Sequence, residues 1–242
     1  MMSDVLRRLK NKYKHTKDSG ITLAMQAKKR FAVWIVSNCN GTPGSAKRFK
    51  LVEKMVQAGI DIDRRGRCFP NNPPPPGRRN SEVEEFMASS KFYIAFENSH
   101  HCKDYITEKV YWNSFLAGSV PIVWGPIKED YKAVLPPHSF ICMDDFENNM
   151  TKLADYLNYL DRNDTAYKEY LSWRLMDVKD MYGYGKSMGT CHLCEFMNGI
   201  NAGKNPTSTH QNYTSSNEQI PNRIVKSLVD WTFGEEEPEC TL

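Results

Sequence analysis

Three short runs of this chain are so apolar that each must be covered on two sides. "FAVWIVSN" (Phe31 to Asn38), "KFYIAFEN" (Lys91 to Asn98) and "SVPIVWG" (Ser119 to Gly125) are rich in β-branched and aromatic residues. A strand with one wet face alternates apolar and polar residues, whereas a strand buried on both faces does not, and that continuous pattern belongs to parallel sheets covered by helices. Pro121 is a mild objection to a central place for the third run. Segments of helical period stand between the strands. "SAKRFKLVEKMVQAG" puts Ala46, Phe49, Val52, Met55 and Val56 at helical spacing and ends on Gly59, suited to the position beyond a helix.

The rest of the chain continues the alternation. "IDID" (Ile60 to Asp63) reads as a short strand, and "RRGRCFPNNPPPPGRRN" as a loop whose prolines are extended and exposed. In "SEVEEFMASS", Ser81 with Glu84 forms the capping-box pattern of a short helix. "YITEKVYWNSFLAG" predicts a helix ending at Gly118, and "SFICMDD" another short strand. Two amphipathic segments follow, the first with Leu153, Tyr156, Leu157 and Leu160 along one stripe. The expectation is an α/β fold, a Rossmann-like parallel sheet flanked by helices. At 242 residues and 40% hydrophobic content the chain can bury one sizeable core. Its expected organisation is a basic N-terminal segment over 1–30, the sheet domain over 31–198 and a largely mobile tail over 199–242, where Asn, Ser, Thr and Gly displace apolar residues.

A net charge of +3 is too small to indicate nucleic acid, and "RRLKNKYKHTK" with "KKR" reads as a solvated helix face. No apolar run approaches the roughly 20 residues that span a bilayer, and the first ten residues lack the apolar core of a signal peptide. Yet seven cysteines and four acceptor sequons, at Asn40, Asn149, Asn163 and Asn212, fit a secretory-pathway protein. This tension predicts a longer protein with a further N-terminal part.

Between the second and third apolar runs lies a polar knot containing Glu97, Asn98, Asp104, Tyr105, Glu108 and Lys109. In parallel sheets ligands bind at the carboxyl ends of strands, where helix N-termini point into the crevice, so these residues can line a cleft instead of being buried unsatisfied. Glu108 and Lys109 are neighbours on a helix, about a hundred degrees apart. A carboxylate that takes ribose hydroxyls and an ammonium that takes a phosphate would suit a nucleotide; by spacing alone, an exposed first turn with ordinary charges fits as well. No glycine-rich phosphate fingerprint is present.

The segment "KFYIAFENSHHCKDYITEKVYWNSFLAGSVPIVWGP", followed by "YKAVLPPHSFICMDDF", closely resembles the donor-binding domain of the α1,3-fucosyltransferases, and the likeness extends over roughly Phe31 to Asn198. The resemblance implies the C-terminal half of a GT-B glycosyltransferase. It implies a GDP-fucose donor, a glycan or glycoprotein acceptor containing N-acetylglucosamine, inversion at the sugar, no cofactor, and a Golgi enzyme anchored in the membrane. Carried over by position, Asn98, Tyr105, Glu108 and Lys109 contact the donor, and Arg48 approaches the diphosphate. The general base would be a carboxylate of an N-terminal domain, so none is assigned in this chain.

Cys39 and Cys68 follow the first two strands and could meet across neighbouring strand ends; similar pairs occur in the family, and a disulfide is weighed there against two free buried thiols. Cys191 and Cys194 would pair, by resemblance, with cysteines of the N-terminal domain. A lone CxxC is too few ligands for zinc, and "HHC" (His100 to Cys102) reads as an exposed loop, so no metal site is expected. Tyr170 and Trp173 are expected in the core.

Overall fold

The computed structural model describes residues 2–77, 81–100, 102 and 105–180, all within the larger of two compact units. The expectations for Cys191, Cys194, Asn212 and the tail lie outside the described residues. The elements run α1 (Met2–Lys12), α2 (Ile21–Gln26), β1 (Arg30–Ile35), α3 (Pro43–Gln57), β2 (Ile62–Arg65), α4 (Ser81–Ala88), β3 (Ser90–Phe96), α5 (Glu108–Val110), β4 (Val120–Trp124), α6 (Lys128–Val134), β5 (Ile141–Cys142), α7 (Met150–Arg162) and α8 (Asp164–Glu169). All five strands are parallel, in the order β2-β1-β3-β4-β5. The α/β fold with a helix-covered parallel sheet is the one the sequence predicts.

The two-residue period of the strands divides the apolar side chains between two cores. Ala32, Trp34, Phe92, Ile94, Phe96, Val120 and Ile122 face α3 and α7, whose Val52, Met55, Leu153 and Leu157 pack in the same cluster. Val33, Tyr93, Ala95 and Val123 face the other way, toward Val110, Tyr111, Phe115 and Tyr131. The basic N-terminal segment joins this second core. Met2, Val5, Leu6 and Leu9 are buried there, while Arg7 and Arg8 remain outside. Tyr170 and Trp173 are buried, as expected of core residues.

Several local expectations shift. β2 starts at Ile62 because Ile60 is used to close α3, its N–H donating to Met55 O at 3.1 Å. Ser81 is the first residue of α4 and not its cap. The predicted helix from Tyr105 to Gly118 becomes one short turn, α5, followed by a π-helix over Tyr111–Leu116, a rare winding that is frequent at functional sites. Pro121 is accommodated in β4 at the register opposite Tyr93; pairing with β5 begins only at Ile122. Among the described residues no helix is long and apolar enough to cross a membrane.

Candidate functional site

The chain leaves β1 into α3 on the first face and leaves β3 into α5 on the second, although β1 and β3 are hydrogen-bonded neighbours. Their carboxyl ends therefore form the switch point at which open parallel sheets of this strand order hold ligands.

Arg48 of α3 ties the first side of this crevice together. It is 2% exposed, and its Nη1 donates to Phe96 O at 3.0 Å while Nη2 donates to Asn38 O at 2.7 Å, bridging the ends of β3 and β1. Its guanidinium stands 5.9 Å from the centre of the Trp34 ring, and Nε has no partner among the described residues. α3 begins in a reciprocal cap: Thr42 Oγ1 accepts from Ser45 N at 3.1 Å, and Ser45 Oγ accepts from Thr42 N at 3.0 Å. The Thr42 hydroxyl then donates to Asn98 O at 2.7 Å. Gly44 permits this approach, since a Cβ there would stand 2.3 Å from Asn98 O. A disulfide between Cys39 and Cys68, with Cα atoms 5.4 Å apart, fastens the loop after β1 to the segment after β2.

The second side is built on Glu97, the residue after β3, which continues the inward alternation of Tyr93 and Ala95 and is 0% exposed. Its Oε1 accepts from Thr107 N at 2.9 Å and from Thr107 Oγ1 at 2.8 Å, and its Oε2 accepts from Lys109 Nζ at 2.6 Å. Lys109 Nζ also donates to Thr107 Oγ1 at 2.8 Å. Burial raises the pKa of Glu97, against the opposing pull of the Lys109 charge and of the Thr107 bonds. Gly125 leaves room for it: a Cβ there would lie 2.8 Å from Glu97 Cβ. Beyond this pair, exposed Glu108 edges a cavity of about 550 Å³ that Ile35, Ser37, Pro74, Pro75 and Asn113 also line.

The site residues singled out in the sequence are thus brought to one end of the sheet. Arg48 and Asn98 stand on the α3 side and Glu108 and Lys109 on the α5 side, with half-buried Tyr105 close enough to bear on the Arg48 charge. Two features differ from expectation. Lys109 is not a free cation in an open cleft: its side chain is 14% exposed and committed to Glu97. The proline loop is not wholly solvent-bathed either, since Pro74 and Pro75 are half-buried walls of the cavity. Glu97, expected among the cleft-lining residues of the polar knot but not among the donor contacts, is instead fully buried beneath them, and Thr107 and the Thr42 cap are absent from the sequence-predicted set. Glu97 has a legible signal, a carboxylate at an inward register at the end of an apolar run.

The "HHC" reading is corrected as well. Cys102 is buried and disulfide-bonded, and His100 stacks on the Trp124 ring with centres 4.6 Å apart. Asn40 and Asn149 are exposed and Asn163 is half-buried; Asn149 and Asn163 also cap α7 and α8, accepting from Lys152 N at 3.0 Å and Ala166 N at 3.1 Å. Among the described residues no three His, Cys, Asp or Glu side chains are grouped to hold a metal ion.

Comparison with known proteins follows the same lines. The mouse protein named alpha-(1,3)-fucosyltransferase 4 is 35% identical over 192 residues, 79% of this chain and 41% of its own length. The rat 4-galactosyl-N-acetylglucosaminide 3-alpha-L-fucosyltransferase 9 is 38% identical over 156 residues, 64% of this chain and 40% of its own. A crystal structure of an alpha1,3-fucosyltransferase aligns over 78% of this chain and 51% of that one, with 22% identity and a TM-score of 0.49. The chain therefore spans about two-fifths of the length of these curated relatives. The family model described as glycosyltransferase family 10 (fucosyltransferase) C-term matches residues 25–214, and the chain belongs to that family.

Proposed function

We propose that this chain binds GDP-fucose at the β1/β3 switch point and forms the donor half of an enzyme that transfers L-fucose, with inversion, to a hydroxyl of an N-acetylglucosamine-containing glycan. The observation that carries the reading is the position of Arg48, Asn98, Glu108 and Lys109 about the carboxyl ends of β1 and β3 in a chain of this family. Glu108, exposed at the mouth of the cavity, suits the ribose hydroxyls. Lys109 suits the diphosphate. Arg48 acts from beneath as a fixed positive charge, with Asn98 and Tyr105 adding hydrogen bonds.

When the fucose–phosphate bond breaks, negative charge grows on the GDP leaving group. Cations stabilise that charge more in the transition state than in the ground state, and Arg48, already fixed in place, does so without reorganisation. The proton of the acceptor hydroxyl needs a base. The family resemblance puts it in an N-terminal domain, and no residue of this chain is assigned to it. No cofactor or metal takes part in this scheme. The Cys39–Cys68 disulfide and the sequons support an oxidising compartment, which we take to be the Golgi lumen.

A second reading is a nucleotide-sugar-binding piece without transfer activity, which needs the donor-binding residues of the crevice and no base. Titration calorimetry with GDP and GDP-fucose, paired with a labelled-fucose transfer assay, separates the two. Binding with transfer supports the enzyme, binding without transfer supports the second reading, and no heat with either ligand overturns both.

A further inference from the structure

We propose that Glu97 is the built-in counter-anion of the donor cleft: it holds Lys109 in place while the cleft is empty and takes a proton from solvent when the diphosphate of a nucleotide-sugar takes over the Lys109 charge. This rests on the donor reading above and adds to it a positioning residue and a proton.

The hydrogen bonds around Glu97 accommodate both states. In the empty cleft the carboxylate accepts from Thr107 N, the Thr107 hydroxyl and Lys109 Nζ, and the Thr107 hydroxyl in turn accepts from Lys109. If Lys109 turns to a phosphate, the Thr107 oxygen loses the donor it had. A protonated Glu97 carboxyl supplies that donor, and Thr107 N continues to donate to its other oxygen. Neither state leaves a buried polar atom of this triad without a partner, which is the condition for a buried group to change charge at low cost.

Charge balance gives the direction. The groups that face Glu97 are Arg48 from α3, Lys109 from α5, and the phenols Tyr93 of β3, Tyr111 of the π-helix and Tyr131 of α6. Burial pushes the phenols upward, Tyr111 to about 12, so they stay neutral. Arg48 stays charged. Exposed Glu108 also stands beside Lys109, its Oε1 3.9 Å from Nζ, so two cations and two anions leave the empty cleft neutral. A diphosphate diester brings two negative charges, and protonation of Glu97 removes one negative charge from the loaded cleft. Burial already moves Glu97 toward the protonated form, held back chiefly by the Lys109 charge that the ligand would draw off.

The test is calorimetric titration of the full chain with GDP-fucose, whose diphosphate has no ionisation of its own near neutrality, in buffers of different ionisation enthalpy from about pH 5 to pH 8. The expected result is net uptake of up to one proton per ligand bound, with affinity weakening by up to about tenfold per pH unit. In Glu97→Gln both effects vanish while binding persists. GDP-fucose binding to the native chain without proton uptake at any pH overturns the proposal, and so does uptake that survives in Glu97→Gln. If Glu97→Gln does not fold, the proton count of the native chain alone decides. Failure of GDP-fucose to bind at all is a different outcome, which removes the donor reading and this proposal with it.

Discussion

Glu97 Oε2 and Lys109 Nζ stand 2.6 Å apart at the carboxyl end of β3, the carboxylate fully buried and the lysine side chain 14% exposed. Across the same crevice, Arg48 is held by two main-chain carbonyls. Both positive charges of the crevice are thus fixed by the fold before any ligand arrives, one by an anion and one by dipoles. Preorganised charge like that of Arg48 needs no rearrangement when negative charge appears on a ligand, whereas Lys109 exchanges one anion for another.

Removing the lysine exposes what it compensates. Lys109→Met strands Glu97 without its counter-charge, and breaking a buried pair in this way costs about 3–5 kcal/mol while the remaining group stays charged. Glu97 escapes part of that cost by binding a proton. Its folded pKa then lies further above the unfolded one, so the variant keeps its stability at low pH and loses it as pH rises through the folded value. Denaturant titrations at acid and alkaline pH should show a gap from native protein that widens with pH. The double variant Lys109→Met, Glu97→Gln should close most of it, and a pH-independent gap would count against the buried pair.

Gly44 tests the contact between α3 and the loop carrying Asn98. A Cβ would lie 2.3 Å from Asn98 O and 2.7 Å from Ser99 Cα, both backbone atoms that cannot step aside as a side chain could. Gly44→Ala should cost about 1–3 kcal/mol by overpacking. It should also weaken GDP binding, because the loop that moves is the one holding the site. Gly59→Ala is the control: φ is +86° but the surroundings are open, so it should lose about 1 kcal/mol from backbone strain with GDP affinity unchanged. Equal effects of the two variants on GDP affinity would contradict this placement.

The sheet was legible because its strands are continuous apolar runs, and the period of two then dictated which of Phe92 and Tyr93 faced which core. α3 was legible from its spacing and from Gly59. What escaped were features decided by contacts distant in sequence. Nothing in "GTPGSAKR" announces that Thr42 would reach Asn98, 56 residues on. Resemblance identified Arg48 and Lys109, but their burial came from partners that residue-by-residue transfer does not see, the carbonyls of Asn38 and Phe96 and the carboxylate of Glu97. The π-winding after Lys109 had no sequence signal that separates it from an ordinary amphipathic helix.

The Cys39–Cys68 bridge closes a sequence separation of 29 residues. Restricting the unfolded chain over a loop of that size stabilises the fold by about 3–4 kcal/mol. The bridge also fixes the neighbourhood of Asn38, whose carbonyl holds Arg48. Cys39→Ala with Cys68→Ala should lower the unfolding free energy by that amount in urea titrations. It should also weaken GDP binding by more than a stability loss alone produces in a sample still fully folded. Unchanged affinity in the folded double variant would make the bridge a stabiliser only.

Lys28 sits at the opposite end of the sheet and makes its own prediction. Its Nζ donates to Ala88 O at 2.9 Å, Ser90 O at 2.9 Å and Gly118 O at 2.8 Å, closing the ends of α4 and the π-helical segment over the start of β3. Burial, with the nearby charges of Arg174 and Lys91, pushes its pKa down to about 7. A lysine whose folded pKa lies below its unfolded value of roughly 10.4 holds fewer protons folded than unfolded between those limits, so its contribution to stability rises with pH there. The cost of the buried ammonium is fully present below about pH 7 and is relieved above it, at up to about 1.4 kcal/mol per pH unit. The relief is softened because a neutral amine has two protons for three carbonyls. Unfolding free energies of native protein and Lys28→Gln, measured between about pH 7 and pH 9, should therefore diverge, the native protein gaining relative to the variant as pH rises. Parallel curves would show that the three carbonyls keep the ammonium charged throughout, with Lys28 acting as a permanent cationic staple.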